Sequence, residues 1–460
     1  MVHKCWELVS KLAPVFPARS DQIRLLSQPN EFYSELIQHI QNAKSRIIIT
    51  SLYMGTGSLE QKLVHTLQDT LTNNKAVNVR ILLDANRGTR GDVNSKTLLS
   101  PIVKQFSHNC HVSFYHTPDL RWPLNRLLPH RYNELIGLQH MKFYLIDNCV
   151  IITGANLSSD YFTSRQDRYM IIQDHKPLSD FFDDLSRVLC KISFQLTPDG
   201  KFILDKEFPL SPVSVTQRGE YLKRSRSLVL DMYDGYRTRN TTAVSPALSS
   251  TQPPDTWLAP LIELPPLHIQ LDSRVTKLIL SLARDGSCVS LGTGYFNLTQ
   301  EYVRAMLDKP RVNYSVLMAH PTANGFLGAR GAAGGIPYAY TALAARFLSR
   351  VSNLKVAMFE YVRSGWTYHA KGLWYSESPG SKPVLTLIGS PNFGERSLRR
   401  DLECSLLLVS REDSVHTALE NERSSLFESS TPFTLDIAQS EDRKSPLWVR
   451  AVLALFRYYF

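Results

Sequence analysis

The sequence predicts an α/β protein made of two similar α/β/α lobes, with the functional site at the interface between the lobes. Three observations support this prediction. Helical and β-rich patterns alternate along most of the 460 residues, the same order occurs once in each half, and a His-x-Lys pair follows at the matching place in both. A chain of this length can bury two cores of ordinary size.

The first half alternates helices and strands from residue 31 onward. Apolar residues at three and four spacing predict helices, and short β-branched and aromatic runs predict strands. The predicted helices are 31–42, 59–73 and 97–108. The predicted strands are 46–52, 77–84, 111–115, 141–146 and 150–153. Such alternation is typical of a sheet with parallel strands.

The second half repeats this order. Its predicted helices are 272–283, 300–308 and 338–351. Its predicted strands are 288–292, 312–318, 354–359, 371–375 and 384–388. The repeat is therefore a duplicated lobe and not a short structural repeat.

These patterns divide the chain into five segments. We expect an N-terminal segment, a first lobe, a linker, a second lobe and a C-terminal amphipathic segment, at residues 1–28, 29–196, 197–265, 266–430 and 431–460. The linker is rich in Pro, Ser and Thr, and we predict a flexible surface loop at 239–255. Its basic cluster is either a solvated face or a contact for lipid headgroups, and consists of Lys223, Arg224 and Arg226.

Composition limits the kinds of partner. The formal net charge of +10 favours a polyanion, such as nucleic acid, an anionic membrane surface or a phosphorylated substrate. No apolar run is long enough to span a bilayer, so membrane contact is expected to be peripheral. Six scattered cysteines without Cys-x-x-Cys spacing argue against a zinc module and a disulfide-rich secreted scaffold. Residues 1–28 lack the order of a secretory signal, and removal of a targeting segment is left open.

Two His-x-Lys pairs are the most informative motif. Only two of the thirteen histidines have a lysine two positions later, namely His140 with Lys142 and His369 with Lys371. Side chains two apart on a strand face the same side, so each pair can address one phosphate. A histidine nitrogen can be the nucleophile while lysines hold the non-bridging oxygens. A single such pair could equally be an ordinary strand histidine; two pairs in register favour the functional interpretation.

A small-residue turn and an asparagine follow each pair. The turn in the first half ends at Asn156, and the turn in the second half contains Ser390 and ends at Asn392. Small residues let the backbone approach a phosphate, and an asparagine amide can donate to it. These three residues are therefore candidates for binding substrate phosphate.

Each half also contains an Arg-x-Asp triplet. The triplets end at Asp167 and Asp401, and Glu403 follows the second one. We expect these carboxylates to accept the remaining imidazole N–H, which fixes the tautomer and raises the basicity of the catalytic nitrogen.

The paired motifs resemble the His-x-Lys-x(4)-Asp motifs of the phospholipase D superfamily. The first motif supplies all three letters as His140, Lys142 and Asp147, whereas the second has Ser376 at the Asp position, followed by Glu377. The resemblance implies two phospholipase D-like lobes that share one active site. It implies catalytic roles for both His-x-Lys pairs and for Asp147, whose carboxylate would serve structure more than proton transfer.

Within the superfamily, residues 154–169, 368–372 and 389–396 resemble the eukaryotic phosphatidylglycerophosphate synthases. This resemblance implies CDP-diacylglycerol as donor and sn-glycerol 3-phosphate as acceptor, with phosphatidylglycerophosphate and CMP as products on the route to cardiolipin. It also implies a peripheral position on the mitochondrial inner membrane. By analogy His140 is the nucleophile and His369 the acid and base, although the symmetry of the motifs allows the reverse.

Two loops are candidates for anion binding, and we expect their arginines to hold the phosphate dianion of glycerol 3-phosphate. Residues 84–91, with Arg87 and Arg90, and residues 320–335, with Arg330, follow corresponding strands and carry glycines and arginines suited to anions. Loop flexibility is the alternative explanation. Neither loop has the Gly-Lys-Ser/Thr ending of a nucleotide P-loop. The motifs contain no metal-ligand cluster, so we expect chemistry without a cofactor or bound metal, with a divalent cation at most stimulatory.

Two segments are candidates for membrane contact. Residues 121–131 combine aromatic, aliphatic and basic side chains just before His140, among them Arg121, Trp122, Leu127, Leu128 and Arg131. They form either a packed loop or an interfacial lip that admits an acyl chain. Residues 448–460 mix arginines with a large apolar surface, and either pack on the core or lie on the membrane.

Two other classes of function fit part of the sequence. Another superfamily enzyme, such as a cardiolipin synthase, a phospholipase or a nucleic-acid phosphodiesterase, would share the paired motifs. A catalytically inactive lipid- or nucleic-acid-binding protein is disfavoured because both His-x-Lys pairs are intact. Because the resemblance implies lipid substrates, nucleic acid is not expected as the partner. The oligomeric state is left open.

Overall fold

The computed structural model describes residues 1–123, 133–242, 253–327 and 334–443, together with residues 446 and 449. Strands in the first half are β1 (Phe16–Ala18), β2 (Ile23–Leu26), β3 (Arg46–Thr50), β4 (Asn78–Asp84), β5 (Cys110–Tyr115), β6 (Phe143–Ile146), β7 (Cys149–Thr153), β8 (Arg165–Gln166), β9 (Tyr169–Ile172), β10 (Phe194–Leu196) and β11 (Phe202–Ile203). Helices there are α1 (Val2–Ser10), α2 (Pro29–Gln41), α3 (Ser58–Asn73), α4 (Ala85–Gly88), α5 (Ser95–Gln105), α6 (Ser159–Thr163) and α7 (Lys176–Lys191).

The second half has a similar set of elements. Its strands are β12 (Thr256–Leu264), β13 (Ile269–Gln270), β14 (Cys288–Thr293), β15 (Asn313–Ala319), β16 (Lys355–Tyr361), β17 (Thr367–Tyr368), β18 (Gly372–Ser376), β19 (Leu385–Gly389), β20 (Glu403–Ser410) and β21 (Ser430–Phe433). Its helices are α8 (Arg218–Thr242), α9 (Leu271–Leu282), α10 (Gln300–Leu307), α11 (Ile336–Arg350), α12 (Glu395–Arg399), α13 (Asp413–Glu428) and α14 (Leu435–Gln439).

The two large sheets share one plan, as the sequence predicts. In the first, β3, β4 and β5 are parallel, and β6 and β7 continue beside β3 as antiparallel strands. In the second, β14, β15 and β16 are parallel, and β18 and β19 are antiparallel beside β14. Strands β7, β18 and β19 are buried throughout, because helices or the other lobe cover both faces.

The predicted linker needs one correction. Strand β12 lies inside it and pairs with β20 over residues 256–263, so this stretch belongs to the second sheet. The basic cluster lies in helix α8, where Arg226 donates to the carbonyl of Leu267 at 2.6 Å. Residues 243–252 of the predicted flexible loop lie outside the described residues. The Pro-rich composition hid β12, whose apolar side chains are buried on both faces.

The chain ends also join the sheets. Strand β1 pairs with β12 of the second sheet, and β2 pairs with β9 of the first. Strand β21 pairs with β16. Residues 450–460 lie outside the described residues, so the proposed role of the C-terminal run stays a prediction. No helix in the described ranges combines the length and apolar character needed to cross a membrane.

Arg168 connects the two lobes. It follows β8 in the first half, yet its fully buried guanidinium pairs with Glu422 at 2.7 Å and donates to the carbonyl of Leu387 at 3.0 Å in the second. Its guanidinium carbon lies 3.8 Å from the ring centroid of Trp374. Because a buried charge needs all of these partners, the relative position of the lobes is well defined.

Candidate active site

The two predicted histidines meet at the lobe interface through matching backbone contacts. The amide of His140 donates to the carbonyl of Leu402 at 2.8 Å, and the amide of His369 donates to the carbonyl of Gln166 at 2.8 Å. Both backbone contacts are parallel pairings between lobes. Each histidine is thus held by the lobe to which it does not belong.

A carboxylate of the second lobe orients His140. Nδ1 of His140 lies 2.9 Å from Oε2 of Glu403, and the other carboxylate oxygen accepts from the hydroxyl of Ser397 at 2.8 Å. Burial alone would raise the pKa of Glu403, but the charges of His140 and Lys142 outweigh it and lower that pKa. Glu403 is therefore an anion that accepts the Nδ1 proton, which leaves Nε2 of His140 for chemistry.

A carboxylate of the first lobe orients His369. Nδ1 of His369 lies 2.6 Å from Oδ2 of Asp167, and Nε2 lies 3.1 Å from the hydroxyl of Tyr161. Burial raises the pKa of Asp167 to about 6. Burial, followed by the charges of Lys371 and Arg165, lowers the pKa of His369 well below its usual value. His369 is accordingly a neutral imidazole in the free protein.

Strand register corrects the predicted match between the carboxylates. Since Gln166 and Leu402 hold equivalent backbone positions, the counterpart of Asp167 is Glu403, and the counterpart of Asp401 is Arg165. Asp401 instead accepts from the amide of Leu138 at 2.9 Å and from Arg396 at 2.7 Å. Matching the Arg-x-Asp triplets by sequence alone had shifted the two halves by two residues.

Both predicted lysines are buried beside their histidines. Nζ of Lys142 donates to the carbonyl of His140 at 2.7 Å, and Nζ of Lys371 lies 2.7 Å from Nδ1 of His369. Burial lowers the pKa of Lys371 to about 8 and lowers that of Lys142 well below its usual value. Two buried lysine amino groups are suited to receive a phosphate, whose negative charge favours their protonated form.

Comparison with known proteins identifies the family. Residues 36–189 match the family model described as cardiolipin synthase, PLD-like domain. The chain is 41% identical over 484 residues to the human protein named CDP-diacylglycerol--glycerol-3-phosphate 3-phosphatidyltransferase, mitochondrial, with 100% of this chain and 86% of that protein covered. The chain belongs to this phosphatidyltransferase family. The similarly named yeast protein is 31% identical over 464 residues, with 95% of this chain and 88% of that protein covered.

A solved structure supports the fold of this phosphatidyltransferase family member. The phosphatidylserine synthase of Haemophilus influenzae Rd KW20 superimposes with a TM-score of 0.74 and covers 99% of this chain and 96% of its own, at 18% identity. At that identity the likeness concerns the fold alone. It agrees with the two-lobed arrangement described above.

The predicted turn residues of this phosphatidyltransferase divide into two kinds. The amide nitrogen of Asn156 donates to Tyr161 at 3.1 Å, and among the described residues the buried amide oxygens of Asn156 and Asn392 have no partner. These oxygens can accept from a substrate hydroxyl, whereas the amide nitrogens are the groups that can donate to phosphate. Ser390, in contrast, accepts from the amide of Cys404 at 3.1 Å and is fully buried. Ser390 therefore shapes the turn, and its hydroxyl also hydrogen-bonds Glu403, the carboxylate beside His140.

Asp147 does not join the active site. It lies in the turn between β6 and β7, at the opposite end of β6 from His140. Its carboxylate accepts from the amides of Lys44 at 2.8 Å, Ser45 at 2.8 Å and Arg46 at 3.1 Å, at the start of β3. Its role is therefore structural, as the resemblance suggested, and its inclusion among the catalytic residues is corrected.

The predicted arginines have different surroundings. The guanidinium carbon of Arg87 lies 4.0 Å from the ring centroid of Tyr53, and its backbone amide donates to Asp84 at 2.8 Å. Arg90 pairs with Glu134 at 2.7 Å. Arg330 lies outside the described residues. The carboxylate of Asp84 also accepts from the amide preceding His140, which places this loop beside the site.

Sequence analysis missed three tyrosines of the site. The rings of Tyr161 and Tyr295 stand edge-on to His369, with centroids 5.0 and 5.6 Å away. Tyr53 follows β3 and Tyr295 follows β14, and the carbonyl of each accepts at 3.2 Å from a hydroxyl two residues earlier in the chain. A Ser/Thr-x-Tyr triplet near the end of a strand in both halves was the available signal.

One cluster has the composition of a metal site. Ligand atoms of His140, Asp401 and Glu403 lie within 4.8 Å of one another. The oxygens of both carboxylates already accept hydrogen bonds, from Leu138 and Arg396 on one side and from His140 and Ser397 on the other. The bond to Glu403 orients the imidazole of His140, and the bonds of Asp401 hold the neighbouring backbone and Arg396.

Proposed function

We propose that this protein transfers the phosphatidyl group from CDP-diacylglycerol to sn-glycerol 3-phosphate, with His140 and His369 in one site. The observation that carries the proposal is the reciprocal pairing, in which each imidazole Nδ1 is bonded to a carboxylate of the other lobe. The names of full-length relatives provide the donor and acceptor.

His140 is the proposed nucleophile. Among the described residues no hydrogen bond is recorded at its Nε2, whereas Nε2 of His369 is bonded to Tyr161. Nε2 of His140 attacks the phosphorus that carries diacylglycerol, and the bond from that phosphorus to the CMP oxygen breaks. CMP leaves with the electron pair, and anionic Glu403 stabilises the positive imidazole ring.

His369 is the proposed acid and base. Because the free ring is neutral, Nε2 would take up a proton when the anionic donor binds, and it would give that proton to the departing CMP. The ring is then neutral again and accepts the proton of a glycerol hydroxyl as its oxygen attacks phosphorus. The phosphorus–nitrogen bond breaks, and its electron pair returns to His140. The lowered pKa of His369 favours the neutral form that this second step requires.

Buried hydrogen-bond donors would stabilise the negative charge on the phosphoryl oxygens during transfer. Lys142 and Lys371 lie beside the two imidazoles, and Asn156 is bonded to Tyr161, which contacts His369. These residues, with Asn392 as the counterpart of Asn156 in the second half, can hold the non-bridging oxygens. Arg87, beside Tyr53, is the proposed contact for the diphosphate of the donor. The chemistry assigned to these groups requires no cofactor or metal, and a divalent cation would act at most on substrate or membrane binding.

Peripheral contact with the mitochondrial inner membrane is also proposed. Val93, Trp122 and Leu327 are exposed, and they lie in loops that follow β4, β5 and β15. The carboxyl ends of those strands face the edge where the histidines lie. Anionic lipid would match the net charge of +10. Part of the predicted lip, at residues 124–131, lies outside the described residues.

Acceptor-dependent product formation tests the function. Purified protein with CDP-diacylglycerol in detergent micelles should release CMP over many turnovers and form phosphatidylglycerophosphate only when glycerol 3-phosphate is present; without it, release should stop at about one CMP per protein. Plain glycerol should be a much poorer acceptor, and chelator should not abolish turnover. Equal use of glycerol, or hydrolysis to phosphatidic acid as the main reaction, would contradict this assignment.

A further inference from the structure

Arg165 lies against the catalytic machinery although no motif assigned it a role. Its guanidinium carbon lies 4.8 Å from the ring centroid of Tyr161, whose hydroxyl lies 3.1 Å from Nε2 of His369. Only 16% of its side chain is exposed. The charge of Arg165 therefore acts on the imidazole that handles the acceptor hydroxyl.

The hydrogen-bonding capacity of Arg165 is only partly used. Nε donates to the hydroxyl of Thr367 at 3.0 Å, and the guanidinium also hydrogen-bonds the hydroxyl of Tyr161. Among the described residues its carboxylate partner is Asp160, whose oxygen is 3.4 Å away on a side chain that is 67% exposed. By comparison, Arg396 binds Asp401 at 2.7 Å and Arg90 binds Glu134 at 2.7 Å. Arg165 can therefore take an anionic ligand without losing a strong ion pair.

Charge is unequal between the two halves of the site. The position equivalent to Arg165 in the second half is Asp401, so a cation accompanies His369 where a carboxylate accompanies His140. The reacting phosphorus can be held by two similar halves. The acceptor, however, also carries a phosphate of its own that does not react and must be bound elsewhere in the site. The positive group on the His369 side is best placed to bind the phosphate of glycerol 3-phosphate.

A loop of the second lobe packs closely against the guanidinium. Gly325, in the loop after β15, is so close that a Cβ atom there would lie 2.9 Å from Nη2 of Arg165. A larger residue at 325 would displace the guanidinium. Arg165 of the first lobe and a loop of the second thus form one side of the pocket that contains His369.

We infer that Arg165 binds the phosphate dianion of the acceptor and so determines acceptor specificity; this inference rests on the proposed function. Covalent geometry separates the free hydroxyl and the phosphorus of glycerol 3-phosphate by roughly 6 Å. Arg165 and Nε2 of His369 flank Tyr161 and can therefore bind the two ends of one acceptor. Two-point binding would align the hydroxyl with the covalent intermediate and disfavour water.

Arg165→Ala, Arg165→Lys and Asp160→Ala form the test, in the full-length protein. Steady-state kinetics give KM for each substrate, and exchange of labelled CMP into CDP-diacylglycerol reports the first half-reaction without any acceptor. Arg165→Ala should raise KM for glycerol 3-phosphate at least tenfold more than KM for CDP-diacylglycerol. It should also reduce the preference for glycerol 3-phosphate over glycerol and increase the share of phosphatidic acid.

The other variants separate binding from structure. Arg165→Lys should recover part of the acceptor affinity, and Asp160→Ala, the matched control, should leave KM for glycerol 3-phosphate unchanged or lower. An unchanged ratio of the two KM values in Arg165→Ala, or equal losses of exchange and synthesis, would overturn the inference. Wild-type protein without CMP exchange would instead contradict the proposed function itself.

Discussion

Burial lowers the pKa of both histidines, but their carboxylate partners differ. Glu403 has a lowered pKa beside His140, whereas burial raises the pKa of Asp167 to about 6 beside His369. A permanent anion supports a ring that becomes positive on phosphorylation, while a weaker acid partner suits a ring that exchanges protons. The proposed division of labour between nucleophile and base therefore rests on the difference between the two carboxylates.

At the residue scale we predict an alkaline decline in activity. Lys371 has a pKa of about 8 and binds phosphate only when protonated, so kcat/KM should fall as pH rises through about 8. Lys371→Arg keeps its charge and should weaken or shift this decline, even if its maximal rate is lower. A pH–rate profile checks both enzymes, and an identical decline in the variant would exclude Lys371 as its cause.

Sequence analysis found the residues whose spacing repeats and missed those whose roles depend on register. Both His-x-Lys pairs could be predicted because two residues on a strand share a face. The pairing of His140 with Glu403 could not, since it depends on which backbone positions meet across the lobes. In sequence Arg165 is only the first residue of the Arg-x-Asp triplet that ends at Asp167, and nothing in that pattern predicts its position beside Tyr161 and His369.

The elements that carry the histidines depend on close contact between the lobes. Gly372 begins β18 with φ of 142°, directly after the second His-x-Lys pair. A Cβ atom there would lie 2.1 Å from Nη1 of Arg168 and 2.3 Å from the carbonyl oxygen of Leu387. The strand and the buried arginine that joins the lobes therefore require a glycine at this position.

At the element scale we predict that Gly372→Ala destabilises the protein by several kcal/mol, of the order found for steric overlap in a core. Gly380→Ala is the matched control, because φ is 80° there but no atom lies within 4 Å of the added Cβ. The control should cost about 1 kcal/mol. Urea unfolding measures both, and equal costs would show that Arg168 accommodates the methyl group.

The strands could be predicted better than the connections. Buried runs in β3, β4, β14 and β15 consist largely of apolar side chains, so local pattern and tertiary burial agree. Strand β12 lies in a Pro-rich region and its partner β20 is distant in sequence, so local composition suggested a linker. Long-range pairing is the information that the local pattern lacks.

At the scale of the whole molecule, one edge of both sheets contains the histidines and several exposed apolar side chains. Loops from the first and the second lobe contribute Val93, Trp122 and Leu327, which are 72%, 65% and 51% exposed. A diacyl substrate remains anchored in a bilayer, so its headgroup must reach the site from a membrane surface. Joint exposure at this edge is consistent with that approach.

For the whole molecule we predict that Trp122→Ala weakens binding to anionic vesicles severalfold without changing thermal stability, because an exposed ring contributes apolar area only at the membrane. Leu435→Ala is the control, since Leu435 is 37% exposed and follows β21, at the opposite edge. Vesicle sedimentation measures both. Unchanged partition of Trp122→Ala would assign this loop to packing alone.

The central claim is that two lobes form one site with divided roles for its histidines, and trapping the intermediate tests it most directly. With CDP-diacylglycerol labelled in the diacylglycerol part, His369→Ala should release at most one CMP per protein and retain label on His140, while His140→Ala should release none. Both variants should fold normally and lose several orders of magnitude in turnover. Label on His369, or comparable turnover in either folded variant, would contradict the account.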